Sequence, residues 1–341
     1  MRNIRKIAVR LVLIALILIL FESLVEFLYR PYDQADLYTI RELEECQGKI
    51  ETLFLGTSTA HRAFAPEIFD EALDTFSFNL STNIQPLSGT LHLLKEQAQE
   101  NPLERVFLGV SPSAFKKEDA KTWQKVEVYD RLLTLQGKLS YLVEENTPEE
   151  WLDLALYSVR EEEYDDFARV KENVAYKQSD AYRQNISPGG QYRGKGYIAR
   201  GKKFEGKTYD TFEKGTPTWE PNAPSEQSLI EIMEYCKEQG IELILTYIPA
   251  TGKELIKYKD LSVIHDYFQG LADEYGTEFW DFNYYANLKE EFTNKMFFDK
   301  KHLNYAGSQK FSEIFAEIYQ AYCTGQGIES YFLDACPYYK E

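Results

Sequence analysis

The sequence predicts an α/β fold: a flavodoxin-like three-layer α/β/α sandwich on about five parallel strands. Three observations predict it. Short apolar runs alternate with amphipathic helical patterns over residues 49–112, and the same alternation resumes over 226–322. The first run, Thr52–Leu55, also stops abruptly at Gly56-Thr57-Ser58. Strands alternating with helices imply a parallel sheet covered on both faces. Small polar residues straight after a buried strand mark the rim where such sheets collect ligands.

The chain opens with Arg2, Arg5 and Lys6, then runs without a charge from Leu11 to Phe21. Extended from Ile7 to Tyr29, the segment has 23 residues. That is enough for one transmembrane anchor if Arg10 snorkels and Glu22 and Glu26 lie near the far headgroups, solvated. Positive charge on the leading side predicts a single-pass protein of the cell membrane, with its N-terminus cytoplasmic and its folded domain extracytoplasmic. A cleaved signal peptide is the competing reading, but no small-x-small site precedes Arg30-Pro31. Residues 1–30 are therefore read as tip and anchor, 31–48 as a charged linker with a short helix, and 49–341 as the domain.

Within the domain a helix begins at Pro66, a residue suited to a first helical position, with Glu67 and Asp70 at its positive end. Strand Thr75–Leu80, helix Leu87–Gln99 and strand Arg105–Val110 follow. The later half reads as helix Glu226–Glu238 closed by Gly240, strand Ile241–Pro249, helix Leu261–Tyr275, strand Thr277–Phe282 and a closing helix Ala306–Tyr322. Between them lies an insertion, about 113–225, expected to cover the strand ends. It holds a capping-box spacing at Thr147-Pro148-Glu149-Glu150 and an acidic run, Arg160–Asp166, read as a solvated face. Tyr192–Lys207 carries six basic residues against one acidic. It lacks the G-x-x-x-x-G-K-S/T of a P-loop, so it reads as a hairpin or loop, with Arg193, Lys195 and Arg200 as candidate contacts to an anionic glycan.

A net charge of −17 argues against nucleic acid as a partner and for a ligand that is neutral or met by a local basic patch. The 25 Tyr and 21 Phe offer stacking faces for sugars, although most such rings fill cores. Cys46, Cys236, Cys323 and Cys336 contain no C-x-x-C, which argues against a zinc or thioredoxin-like site. In an oxidising compartment Cys323 and Cys336 are the pair that could bond.

Of the four histidines, His302 in "FFDKKHLNYAG" stands three residues after Asp299. At that spacing a carboxylate can bond the imidazole and fix its tautomer. Ser58 follows the first core strand and the Asp-His pair follows the last, and parallel strands all end on one side of a sheet. Together they supply nucleophile, base and orienting acid for acyl transfer, which needs no metal or cofactor. Taken singly, Ser58 is also a helix-capping hydroxyl, His302 a surface histidine and Asp299 the cap of the last helix.

The blocks Gly56-Thr57-Ser58-Thr59, Asn79-Leu80-Ser81, Gly109-Val110-Ser111-Pro112 and Asp299-Lys300-Lys301-His302 resemble those of SGNH/GDSL hydrolases. The likeness is nearest to the membrane-anchored extracytoplasmic branch, with the alginate O-acetylation proteins and the D-alanine transfer protein of teichoic-acid modification. It covers 49–112 and 226–322 and not the insertion. The resemblance implies Ser58 as nucleophile, His302 as base, Asp299 as its partner, and Ser81 (backbone N–H) and Ser111 as oxyanion donors. It also implies an acylated surface polysaccharide as substrate and a membrane-bound O-acyltransferase as partner. Ser111 replaces the family's asparagine and Thr57 its aspartate. A lost oxyanion donor costs about 10²–10³ in rate, so an inactive assembly or carbohydrate-binding protein is the alternative. A nucleotide-binding domain is a weaker one, because no glycine-rich fingerprint follows the first strand.

Overall fold

A computed structural model describes residues 2–115, 120–206 and 211–339, so Lys207, the end of the basic stretch, lies outside the described residues. Helix α1 (Arg2–Tyr29) and α2 (Ala35–Cys46) lead into β1 (Thr52–Gly56), α3 (Ser58–His61), α4 (Pro66–Leu73), β2 (Ser77–Asn79), α5 (Leu87–Glu100) and β3 (Arg105–Val110). The insertion contributes α6 (Thr122–Arg131), α7 (Leu135–Glu145), α8 (Trp151–Ala155), α9 (Tyr157–Arg160), α10 (Phe167–Lys177) and α11 (Asp180–Arg183). The core then resumes with α12 (Ala223–Gln239), β4 (Glu242–Tyr247), α13 (Gly252–Leu255), α14 (Ser262–Tyr275), β5 (Glu278–Asp281), α15 (Leu288–Glu291) and α16 (Tyr305–Cys323).

The five strands form one parallel sheet in the order β2-β1-β3-β4-β5. The chain leaves β1 towards one edge and β3 towards the other, so a crevice opens between their carboxyl ends. Register pairs Leu53 with Val106, Phe107 with Ile244, and Leu245 with Phe279. Adjacent strand residues face opposite layers, and β5 demonstrates both. Trp280 packs on Phe315 of α16, with ring centroids 5.0 Å apart, while Phe279 packs on Phe268 of α14 at 5.6 Å. On the α16 side Phe54, Phe64, Phe69, Phe107 and Phe315 form one continuous ring cluster.

The segment expected to be a linker is part of the folded body. In α2, Tyr38, Thr39, Leu43 and Cys46 are buried, on a stripe that the charges of the segment conceal. Residues 5–29 of α1 form the one helix among the described residues long and apolar enough to cross a membrane, and its apolar side chains are exposed, Leu20 at 70%. Its end is clamped by the insertion. Lys177 Nζ donates to the carbonyls of Phe27 (2.7 Å) and Arg30 (2.6 Å), and Asn173 Nδ2 to that of Leu28 (2.8 Å), which satisfies carbonyls the last turn leaves open. Glu22 is not simply solvated: it accepts from the backbone N–H and hydroxyl of Ser158, and Glu26 pairs with Arg30.

The acidic run is likewise only partly solvated, since Glu161 pairs with Arg169 and Asp166 caps α10 through Arg169 N at 2.9 Å. At the capping-box spacing, Glu150 accepts from Thr147 N at 3.0 Å. The basic stretch is a loop with a single antiparallel bridge, Tyr192 to Ile198. All four cysteines are free, with Cys336 buried and Cys323 exposed, so the pairing open to them in sequence is not made.

Candidate active site

Ser58 opens α3, the one-turn helix that follows β1 without a loop. Such a turn needs close backbone approach. Gly56 has φ +137°, and a Cβ there would stand 2.6 Å from the Gly109 carbonyl oxygen of β3. A Cβ on Gly109 would stand 2.6 Å from Ala60 Cβ, so the two glycines let α3 sit against the strand ends. Asn79, the last residue of β2, fixes α3 from the other side by donating to the carbonyls of Ala60 (3.1 Å) and Phe64 (3.0 Å).

His302 comes from a tight loop closed by the bridge between Phe297 and Leu303. Asp299 builds that loop: its Oδ1 accepts from the N–H groups of Lys301 (2.9 Å) and His302 (3.0 Å), an Asx-type turn. Its other oxygen lies 2.8 Å from His302 Nδ1, and His302 Nε2 lies 2.8 Å from Ser58 Oγ. The cap of α16 is Asn304, which accepts from Gly307 N at 3.0 Å, and not Asp299. Ser58 and His302 are both buried, at 6% and 7% exposure.

Electrostatics assign the protons. Burial alone would raise the Asp299 carboxyl, but the His302 hydrogen bond and two backbone N–H groups hold it well below the usual carboxylate range. An ionised carboxylate only accepts, so Nδ1 of His302 carries the proton and Nε2 presents a lone pair to the Ser58 hydroxyl. Burial lowers the imidazole below its ordinary value, Asp299 opposes this and Arg62 reinforces it. The His302 imidazole is therefore neutral near pH 7, the form a general base requires.

The two candidate oxyanion donors stand at the same rim. Gly56 pairs with Gly109, so Ser58 and Ser111 each lie two residues beyond a matched position. Both already have partners: Ser81 N–H donates to Asn79 Oδ1 at 3.2 Å, and Ser111 Oγ lies 2.7 Å from Ser113 Oγ. The hydroxyls of Ser81 and Thr82 are buried without a partner, and Thr82 N–H holds the Gly56 carbonyl at 3.2 Å.

The basic stretch divides. Lys195 is ion-paired to Asp70 and sits over the Phe76 ring. Arg193 is exposed and lies over Tyr305, 4.9 Å from its centroid. Arg200 lies over Phe298, beside Asp299, and lines a cavity of about 460 Å³ with Arg62, His61 and Asn83. Arg62 escaped the sequence reading. The signal was its place four residues, one helical turn, after the candidate nucleophile Ser58.

A family model of uncharacterised function matches residues 222–322, which span α12 to α16 and include Asp299 and His302 but not Ser58. No curated protein matches the chain.

Proposed function

We propose that the protein is a membrane-anchored serine acyltransferase or esterase of the SGNH type, acting outside the cell membrane on acyl groups, O-acetyl above all, of a surface polysaccharide. The carrying observation is the hydrogen-bonded chain Asp299–His302–Ser58 at the carboxyl edge of a parallel sheet. In the first half-reaction Ser58 Oγ attacks the acyl carbonyl as its proton passes to His302 Nε2. The tetrahedral oxyanion collapses, the protonated histidine gives that proton to the departing alcohol or thiol, and an acyl-Ser58 ester remains. In the second, a sugar hydroxyl or water gives its proton to His302 and attacks this ester, restoring Ser58. Activated acyl donors are cytoplasmic, so transfer outside needs a membrane partner, and a membrane-bound O-acyltransferase fits that need.

A second reading, a non-catalytic assembly or glycan-binding protein, is favoured by one observation: the Ser81 N–H and Ser111 hydroxyl are engaged within the protein. The deciding experiment is fluorophosphonate labelling of the full chain in non-ionic detergent. The catalytic reading expects a labelled wild type and no label in Ser58→Ala or His302→Ala. A folded, unlabelled wild type favours the binding reading.

A further inference from the structure

Most of the charge along the cavity beside the triad is internally matched. Arg131 pairs with Asp36, Arg30 with Asp130 and Glu26, and Arg160 with Asp130. Arg62 and Arg200 differ: among the described residues neither makes an ion pair or a side-chain hydrogen bond, and Arg200 Nε is buried without a partner. Both are half-buried and line the cavity. Burial first, and then the charge of Arg200, holds the Arg62 guanidinium below its usual value. Asp299 and Glu127 offset part of the charge on Arg62 without pairing with it, and two crowded, partly desolvated cations that lack a bonded carboxylate are costly unless an anion completes them. Guanidinium forks suit the paired oxygens of a carboxylate or phosphate.

The position is equally informative. Arg62 is one helical turn from Ser58, and its charge acts on both Asp299 and His302. A carboxylate that also lines the cavity, Glu127, accepts from Asn83 N and Nδ2, while burial and Asp36 push it up towards its neutral form. The cavity runs on to Arg30, the residue directly after α1.

We propose that Arg62 and Arg200 form an anion clamp that holds a carboxylate or phosphate group of the substrate beside Ser58. This assignment rests on the acyl-transfer reading of that site. It replaces Lys195 and Arg193, whose cations lie elsewhere, and keeps Arg200.

The test uses the full chain in non-ionic detergent, in a Ser58→Ala background that cannot turn over. Its melting temperature is followed with glucuronate in one arm and glycerol phosphate in the other. At least one ligand raises it, and added salt weakens the effect. Arg62→Gln or Arg200→Gln weakens the apparent affinity about tenfold or more, Arg62→Lys restores part of it, and Arg193→Gln leaves it unchanged. A response to only one ligand identifies the carboxylate or the phosphate as the group held. No response to either, or the same response in every variant, overturns the clamp. Anion binding that depends on both arginines in a protein that fluorophosphonate does not label would keep the clamp and break the catalytic reading.

Discussion

His302 and His265 each bond a carboxylate through Nδ1, Asp299 at 2.8 Å and Asp281 at 3.1 Å, yet their surroundings send the two imidazoles in opposite directions. At His302 burial leads, Arg62 adds to it, and the ring is lowered. At His265 burial also lowers, but the hydrogen bond and charge of Asp281, with Asp266, prevail and the ring is raised. His302 directs its free nitrogen at Ser58, whereas the His265 ring stacks on Tyr284 with centroids 4.3 Å apart. Asp281 meanwhile accepts from Asn283 N at 2.9 Å, so this pair fastens α14 to the end of β5. A histidine–carboxylate contact alone therefore assigns no role. What sets His302 apart is the third group, Ser58, and the burial and nearby Arg62 that keep its ring neutral.

The strongest way to break this comparison is to delete each histidine. His302→Ala, like Ser58→Ala, should lower turnover of a chromogenic acetyl ester by about 10⁴ or more, while His265→Gln stays within about twofold of wild type. Equal losses at the two histidines would show that the hydrogen-bonded chain is not the active element. Replacing the carboxylates sharpens the contrast. Asp299→Asn loses the group that fixes the tautomer and should cost about 10²–10⁴ in kcat. Asp281→Asn should leave kcat alone and lower the melting temperature by a few degrees, about 1 kcal/mol in stability. A third, smaller effect lies in the pH profile. Because only neutral His302 is a base, activity should fall below an inflection that lies under the ordinary imidazole value of 6.5. Arg62→Gln removes a cation that favours the neutral ring, so the inflection should move to higher pH, by up to about one unit. A shift to lower pH would contradict the charge assignment.

Sequence pattern carried the parallel sheet because strands buried on both faces read as unbroken apolar runs such as Leu53-Phe54-Leu55 and Leu243-Ile244-Leu245. It singled out Ser58, Asp299 and His302 because a parallel sheet forces both chain ends onto one rim. What it missed depends on tertiary contact. The buried stripe of α2 is diluted by Arg41, Glu42, Glu44 and Glu45, so the segment resembled a linker. Lys195 and Arg200 are alike in sequence, and only the fold brings Asp70 to the first and leaves the second without an ion pair among the described residues. Helix α10 meets the end of α1 through the polar contacts of Asn173 and Lys177, which no periodicity announces.

The smallest effect tests the opposite signs of the histidines through stability. For His265 the folded value lies above the ordinary 6.5, so its pairing stabilises the protein fully below that pH and is lost as pH rises through the folded value. His265→Gln should therefore cost about 1 kcal/mol at about pH 5 and almost nothing at about pH 9. His61 supplies the counterexample within the site. Burial first, then Arg131, lowers it to about 3, and its Nε2 lies 3.1 Å from the Gly196 carbonyl. The unfolded chain takes up a proton at His61 below 6.5 that the folded chain refuses until about pH 3, so stability falls with acid across that window. His61→Gln should flatten that fall, whereas His265→Gln leaves its slope unchanged there and alters the pH dependence of stability only above 6.5, where the wild-type pairing is being lost. Denaturant unfolding of both variants on either side of pH 6.5 reads the two windows separately. A changed slope below 6.5 in His265→Gln, or an unchanged one in His61→Gln, would contradict the opposite directions of the two rings.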